Sequence, residues 1–355
     1  MILDDYEITE YKQIVQIKAD WEALYALHNT SYCQLYNFMS YIERFCQENV
    51  FKKLFWGKLR YIQISKNNEC LLIAPVIIKG KDTQLLGVKA PVDYYGFVYS
   101  NDSKDSLEIL LRYLKIKYMV NHVNFGLLPV SQTRIMDLFY ALSTEKYHIE
   151  TSVGQNAALE YSFKSFDEYF KSLSKSVRQN YRTAINRSKT DGIEFSFEFY
   201  SEIPNSVIKR FLIDHKNRLN SRYSNGRPKI IETLLSPYRN IIYGKWRRDQ
   251  PIYWSMKENK DHILCVAYLN KKPAAYFYGL ISESLGKRRI NFLRACVNVE
   301  EFGKYSPGIV LGIELIKHFG NNFDIYDFTI GNEQYKYQLG CKDFENLWTT
   351  VDILN

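Results

Sequence analysis

An ordered series of strand-like and helix-like segments in the second half of the sequence restricts the fold more than any other feature. Three runs rich in strand-forming residues follow one another with short turns between them, which predicts neighbouring strands. A Ser-Pro-Gly turn then opens an apolar helix, and a further strand follows that helix. These segments are His262–Leu269, Ala274–Ile281, Arg289–Ala295, the turn 306–308, the helix Ile309–Phe319 and the strand Phe323–Phe328.

The remaining sequence also alternates between helix and strand patterns, and a chain of 355 residues suits two domains. We therefore predict two mixed α/β units, at residues 1–153 and 154–355. The other predicted helices are Asp20–Asn29, Met39–Glu48, Ser103–Tyr118, Ser131–Glu145, Phe166–Leu173, Lys175–Thr190, Pro204–Leu219 and Ile230–Trp246. The other predicted strands are Arg60–Ser65, Glu69–Lys79, Thr83–Val88, Asp93–Ser100, His122–Leu127, Ala157–Ser162, Glu194–Tyr200 and Trp348–Ile353.

Charge and composition narrow the class of protein without choosing a partner. The net charge of +8 favours anionic partners such as CoA phosphates, nucleotides, nucleic acid or a membrane surface. The polar N-terminus lacks a signal-peptide pattern, and no apolar run is long enough to span a bilayer, so we expect a soluble cytoplasmic protein. The six cysteines and six histidines show no metal-ligand spacing, and we expect reduced thiols and no metal.

The turn before the apolar helix has the features of an anion site. Pro307 is pre-set for the first helical position, and Gly308 permits close approach to the backbone. The N–H groups of the first turn, from Ser306 to Ile309, and the helix dipole together suit a pyrophosphate. An ordinary strand–loop–helix turn is the alternative.

The strand Phe323–Phe328 leads into a polar loop that contains Gly331, Glu333, Tyr335 and Lys336. A lysine at such a strand end can stabilise negative charge that develops on a carbonyl oxygen. The alternative is a solvated loop lysine next to a core tyrosine.

A basic helix precedes Gly192. Its Lys175, Arg178 and Arg182 fall at helical spacing and suit phosphate binding. The alternative is a charged outer face on a helix whose apolar residues pack inward.

Two smaller groups complete the candidates. Asp93 and Tyr94 lie near an expected strand end and can face a cleft. His215 and Arg218 lie three residues apart on a predicted helix, and His215 is a candidate general base because imidazole titrates near neutrality. A lone helical histidine is also common as a packing residue.

Taken in order, these pieces resemble the acetyltransferase domain named for cellulose-biosynthesis proteins, a branch of the GNAT superfamily. The second half supplies most of the resemblance, and Trp21, Asp93 and Tyr94 extend it into the first half. The matching pieces of the second half are Arg178-x-x-x-Arg182, Gly192, His215, Arg218, 266–275, Ser306-Pro307-Gly308, Phe323-Asp324 and Gly331-x-Glu333-x-Tyr335-Lys336. The resemblance implies an α+β fold with tandem GNAT-like domains, in which helices flank mixed central sheets.

The resemblance also implies a function. The family is similar to the Fem-type peptidoglycan aminoacyl transferases, which implies an acyl-CoA donor or, less often, aminoacyl-tRNA. The usual Gln/Arg-x-x-Gly-x-Gly/Ala pyrophosphate loop of GNAT proteins is replaced here by residues 303–308. We expect an N- or O-acyltransferase that acts on a cell-envelope sugar precursor, and the alternatives are a tRNA-dependent transferase and a non-catalytic binding module.

The resemblance implies roles for individual residues. Tyr335 and Lys336 match the aromatic-Lys pair near the Fem-type active site, which gives Lys336 the role of oxyanion donor. Donor phosphates are expected at Ser306, Pro307, Gly308 and Ile309. The expected catalytic residues are Lys336, His215 and Tyr335, and the expected acceptor-binding residues are Arg178, Arg182, Arg218, Asp93, Tyr94 and Glu333, at a cleft between the two domains.

Overall fold

The computed structural model describes residues 1–28, 31–48, 57–88, 90, 92–100, 103, 105–131, 133–223 and 249–354. The helix predicted at Ile230–Trp246 lies outside these residues. The chain divides into two compact units. The first comprises Met1–Gln155, Ser282–Gly286 and Glu345–Asn355, and the second comprises Asn156–Ile281 and Lys287–Phe344.

The first unit is built on a mixed sheet with helices. Its strands β1 to β5 are neighbours in sequence order, β5 pairs with β7 in parallel, and β7 pairs with β14 in antiparallel orientation. Its elements are β1 (Ile2–Leu3), β2 (Tyr6–Tyr11), α1 (Lys18–His28), α2 (Tyr36–Gln47), β3 (Lys58–Lys66), β4 (Glu69–Lys79), β5 (Asp82–Leu85), β6 (Val98–Tyr99), α3 (Ser106–Tyr118), β7 (His122–Leu128), α4 (Met136–Tyr140) and parts of β8 (Tyr147–Glu160) and β14 (Lys342–Ile353).

The second unit has a similar strand plan. Its strands are neighbours in the order β9, β10, β11, β12, β13 and β8, and β12 and β13 form a parallel pair. Its elements are α5 (Phe166–Ser172), α6 (Lys175–Thr190), β9 (Phe195–Tyr200), α7 (Asn205–Tyr223), α8 (Gln250–Glu258), β10 (His262–Leu269), β11 (Lys272–Ser284), β12 (Lys287–Val297), α9 (Val299–Phe302), α10 (Pro307–Phe319), β13 (Ile325–Ile330) and α11 (Gln334–Gln338).

Apolar side chains of α10 build much of the second unit's core. Leu311, Ile313, Leu315 and Ile316 are fully buried and pack with residues of β10, β11, β12 and β13. Full burial of such a side chain contributes about 1.5–3 kcal/mol, so this helix is held firmly on the sheet. The position of its first turn is therefore well determined.

Two predicted elements are much shorter in the structure. Of Asp93–Ser100, only β6 is strand, and Tyr94, Tyr95 and Phe97 are buried in the core without strand structure. Of Ser131–Glu145, only α4 is helix. Thr133 Oγ1 donates to the Pro129 carbonyl oxygen, and the Ser143 carbonyl accepts from Tyr147 N–H, which are turn contacts that compete with a helix.

The last strand belongs partly to the first unit. The sequence division places all of residues 154–355 in one domain, whereas residues 347–352 of β14 pair with β7. Such pairing joins residues more than 200 positions apart and leaves no local signal.

Within the described residues, no helix is long and apolar enough to cross a bilayer.

Candidate active site

The parallel strands β12 and β13 separate partway along their length. Their paired residues are Arg289 with Ile325, Ile290 with Tyr326 and Asn291 with Asp327, yet β12 continues to Val297 and β13 to Ile330. Beyond Asp327, Thr329 adopts a left-handed conformation with φ of 57°, and the register of β13 with β8 shifts there. The result is a split in the sheet whose facing strand edges carry backbone donors and acceptors.

Aromatic rings line one side of the split. Phe292 and Phe328 follow the last paired residues directly, and their rings stack with centroids 4.9 Å apart. The Tyr335 ring lies 6.1 Å from Phe328 and 6.0 Å from Phe277. Tyr335, an expected catalytic residue, is thus placed beside the split, against a cluster of buried aromatic rings.

The helix α10 begins as the sequence predicts. Pro307 occupies its first turn, Ser306 is its N-cap with φ of 45°, and Val310 N–H bonds the Ser306 carbonyl. Gly308 and Ile309 precede that first hydrogen bond, so their N–H groups face outward from the helix start. A Cβ on Gly308 would lie 2.9 Å from Val297 Cγ2, which shows that the helix start lies against the end of β12.

The loop before α10 is tied to the basic helix α6. Asp191 accepts from Lys304 Nζ at 2.8 Å and from Tyr305 Oη at 2.7 Å, and Arg187 donates to the Lys304 carbonyl at 2.8 Å. The hydrogen bonds from Lys304 and Tyr305 lower the pKa of Asp191. These contacts position the backbone that leads into the helix start.

Lys336 is a buried cation, with 2% of its surface exposed. Its Nζ donates to the carbonyl oxygens of Thr329, Ile330 and Gly331 at 3.0, 2.7 and 3.0 Å. Glu333 Oε2 lies 3.1 Å from the same nitrogen. An ammonium group has three hydrogens, and three carbonyls already accept them, so Lys336 holds the bend of β13 rather than facing an open site. The solvated-lysine alternative is wrong because the side chain is buried.

Glu333 lies at the N-cap of α11, and its carboxylate is 40% exposed. Its contact with Lys336 places it in the same bend. An acceptor-binding role for Glu333 stays a prediction.

The two candidate arginines of α6, Arg178 and Arg182, have intramolecular contacts. Arg178 donates to the Leu173 carbonyl at 2.7 Å and also to the Lys171 carbonyl, at the end of α5. Arg182 lies over the Phe170 ring, 5.7 Å from its centroid, and is exposed. The inward face of this helix is formed by buried Val177, Ala184 and Ser188, as the packing alternative requires.

His215 belongs to a buried polar cluster on the second unit's sheet. Its Nδ1 lies 3.0 Å from Asp249 Oδ2, and Arg294 Nε lies 3.1 Å from Asp249 Oδ1. Arg218, one turn along α7, donates to the Ala295 carbonyl on β12. The structure therefore brings His215 and Arg218 together against the part of β12 that lies beyond the split.

Sequence reasoning missed Asp249 and Arg294. Asp249 is 34 residues from its histidine partner, and Arg294 lies on a different element again. An aspartate just before a helix and an arginine within a strand carry no motif. Only the packing of α7 and α8 on β12 shows the association.

The first unit holds the two remaining candidates. Tyr94 is fully buried, with its ring 5.7 Å from that of Tyr32, which corrects the expectation that it faces a cleft. Asp93 is half-buried, and its role stays a prediction. Among the described residues, no group of three or more His, Cys, Asp or Glu side chains suits a metal ion.

Comparison with known proteins adds a family model and a fold. Residues 253–337 match the model of the acetyltransferase (GNAT) domain. A search of curated protein sequences finds no match. The solved structure of FemX is similar, with a TM-score of 0.60 and 14% identity over 98% of both chains. A conserved protein of unknown function from Bacteroides thetaiotaomicron has a TM-score of 0.55 and 12% identity, over 98% of this chain and all of that one. The predicted α+β fold class of tandem GNAT-like units is confirmed.

Proposed function

We propose that this protein is an acyltransferase that moves an acyl group from acyl-CoA to an amino or hydroxyl group of a sugar precursor. The observation that carries the proposal is the split between β12 and β13 beside the start of α10. Gly308 packs on Val297 at the end of β12, so a helix N-terminus adjoins the part of β12 that lies beyond its pairing with β13. The family-model match covers both features.

The donor fits this arrangement in two parts. Its pyrophosphate binds the N–H groups of Gly308 and Ile309, where the helix dipole favours negative charge, while the N–H of Ser306 donates to the Gly303 carbonyl and shapes the turn. Its amide-bearing arm lies along the free edge of β12 and forms strand-like hydrogen bonds, and the acyl group packs on Phe292 and Phe328. The thioester oxygen then faces backbone N–H donors, which stabilise the oxyanion as the tetrahedral intermediate forms.

The chemistry is direct transfer within a ternary complex. The acceptor nitrogen or oxygen attacks the thioester carbon, a new bond to carbon forms and the carbon–sulfur bond breaks. His215 takes the proton from the attacking atom and returns it to solvent, and the departing thiolate takes up a proton from solvent. Positioning supplies most of the acceleration because the reacting groups are held together.

The acceptor proposed is a cell-envelope polysaccharide or sugar-nucleotide precursor, and we place the reaction in the cytoplasm, where acyl-CoA is available. The support is the sequence resemblance to the cellulose-biosynthesis-type acetyltransferases, together with arginines near His215. Arg218 and Arg294 supply positive charge for the anionic groups of a nucleotide sugar. Arg178 and Arg182, on α6, are proposed to add to that positive surface.

Calorimetric titration of the full chain with CoA and acetyl-CoA tests the donor, and release of free thiol in the presence of a panel of amino sugars and nucleotide sugars tests the reaction. We expect saturable CoA binding and acceptor-dependent thiol release. Binding of charged tRNA without any CoA binding would replace this function by aminoacyl-tRNA-dependent transfer. Binding of a ligand without turnover would indicate a non-catalytic binding module.

A further inference from the structure

We propose that Asp249 is a positioning residue for this transfer reaction. It holds the His215 imidazole in the tautomer whose Nε2 accepts the proton of the acceptor, and Arg294 holds Asp249 in place. The inference rests on the proposed function, because it requires an acceptor that loses a proton.

The contact between the ring and the carboxylate defines the tautomer. An ionised carboxylate only accepts hydrogen bonds, so the proton at the 3.0 Å contact belongs to Nδ1 of His215. The neutral ring then carries its lone pair on Nε2. Side-chain exposures of 8% for His215, 10% for Asp249 and 13% for Arg294 exclude most water from these contacts. Both contacts of the Asp249 carboxylate are strengthened by that exclusion.

Three separate elements hold the group. His215 lies on the buried face of α7 and stacks on Phe211, with an interplanar angle of 20°. Asp249 lies at the N-cap of α8, and Arg294 lies on β12 beyond the split. The ring therefore has a fixed orientation relative to the strand that we assign to the donor.

The charges that face the imidazole determine how it responds to loss of the carboxylate. Burial alone would raise the pKa of Asp249, but the hydrogen bond from His215 and the charge of Arg294 outweigh it and lower that pKa to about 2. Arg218 and Asp214 lie within one turn of His215 on α7, and Asp214 accepts from Tyr276. Loss of the Asp249 carboxylate therefore removes the acceptor that fixes the Nδ1 proton of His215.

Steady-state kinetics of Asp249→Asn across pH, with acetyl-CoA and a productive acceptor, tests the step. We expect kcat to fall about 100-fold, within the usual contribution of general base catalysis, while KM for acetyl-CoA changes by less than about threefold. The fall in kcat should be present across the whole pH profile. Asp352→Asn is the matched control, because Asp352 pairs with His122 Nδ1 at 2.7 Å on an exposed surface of the first unit, and it should leave the profile unchanged.

A measurement on the wild-type chain determines the tautomer of the His215 imidazole without an activity assay. In nitrogen-15 imidazole spectra near pH 8, we expect His215 to show a protonated Nδ1 and an unprotonated Nε2, with His215→Gln identifying its signals. The opposite tautomer, or an Asp249→Asn variant with wild-type kcat and pH profile, would overturn the inference. Failure of wild-type chain to bind acyl-CoA would remove the proposed function, and the tautomer would still decide whether Asp249 orients the ring.

Discussion

The ammonium group of Lys336 donates to the carbonyl oxygen of Ile330 at 2.7 Å, across the bend that ends β13. The two flanking carbonyls, of Thr329 and Gly331, accept its other hydrogens. Thr329 and Gly331 both have positive φ, of 57° and 108°, so this bend departs from regular strand geometry. We therefore expect Lys336 to act on the reaction by maintaining the split, and backbone donors to meet the oxyanion.

Replacement of Lys336 distinguishes a role in maintaining the split from a direct role at the oxyanion. Lys336→Met leaves one buried and two partly buried carbonyls without their donor, and we expect the free energy of unfolding to fall by about 3 kcal/mol, together with a loss of turnover. Urea denaturation and thiol-release assays measure the two effects. Lys287→Met, which removes an exposed ion pair with Glu160, should change stability by less than about 1 kcal/mol. A stable Lys336→Met protein with greatly reduced kcat would instead support a direct oxyanion role.

The start of α10 provides a test of donor binding. Gly308→Val places a side chain against Val297, where even a Cβ would lie 2.9 Å from Cγ2, and it obstructs the anion site. We expect the Kd for CoA to rise at least about tenfold in calorimetry, a loss of about 1.4 kcal/mol. In the control Gly312→Ala, on the same helix, the added Cβ would lie 2.6 Å from Leu339 Cδ1. This substitution should lower Tm without weakening CoA binding. Equal Kd values for Gly308→Val and wild type would place the phosphates elsewhere.

His262 is expected to make stability depend on pH. Burial lowers the pKa of His262 more than its contacts with the Ser255 and Ser201 carbonyls raise it. As the pH falls, His262 therefore binds a proton in the unfolded chain before it does so in the folded chain. Its contribution to stability is fully present above about pH 6.5 and is lost as the pH falls toward the lower folded-state pKa.

Urea titrations at pH 7.5 and pH 5 measure this dependence. We expect the free energy of unfolding of His262→Gln to fall less between pH 7.5 and pH 5 than that of wild type. His148→Gln, at a histidine with 59% side-chain exposure, should keep the wild-type loss. If the free energy of unfolding fell equally in wild type and both variants, His262 would not contribute to the pH dependence of stability.

Cys296 tests for a covalent intermediate. It is buried, and burial raises the pKa of its thiol to about 12, so almost no thiolate exists at neutral pH. We expect Cys296→Ala to keep kcat within about threefold, and initial-rate kinetics to follow a ternary-complex pattern. Ping-pong kinetics abolished by Cys296→Ala would contradict direct transfer.

Local patterns in the sequence identify much of the fold. The bounds of β4 and β10 match the predicted strands Glu69–Lys79 and His262–Leu269, since a short apolar run and the turn residues that flank it are local signals. Pro307 likewise marks the start of α10, because its fixed φ and missing N–H suit a first helical turn. The expected Asp93–Ser100 strand was too long because aromatic residues favour both strands and cores.

The candidate site was less accessible from sequence. His215 was identified only as a titratable side chain on a helix, and Asp249 and Arg294 were not identified at all. Lys336 was expected to face a carbonyl, whereas its hydrogens are taken by the backbone of residues 329–331. Each of these contacts depends on which groups the tertiary structure brings next to a buried charged side chain.

By itself the sequence determined where the helix α10 begins, most of the segments that form strands, and that a basic helix precedes the strands of the second unit. Propensity, capping and periodicity act within one or two turns of chain, so they can be read from neighbouring residues. Only the tertiary structure decided that β12 and β13 separate after Asn291, that β14 pairs with β7, and that Asp249 meets His215. Strand register and the pairing of buried charges join residues distant in sequence, and they are selected by the packing of the whole unit.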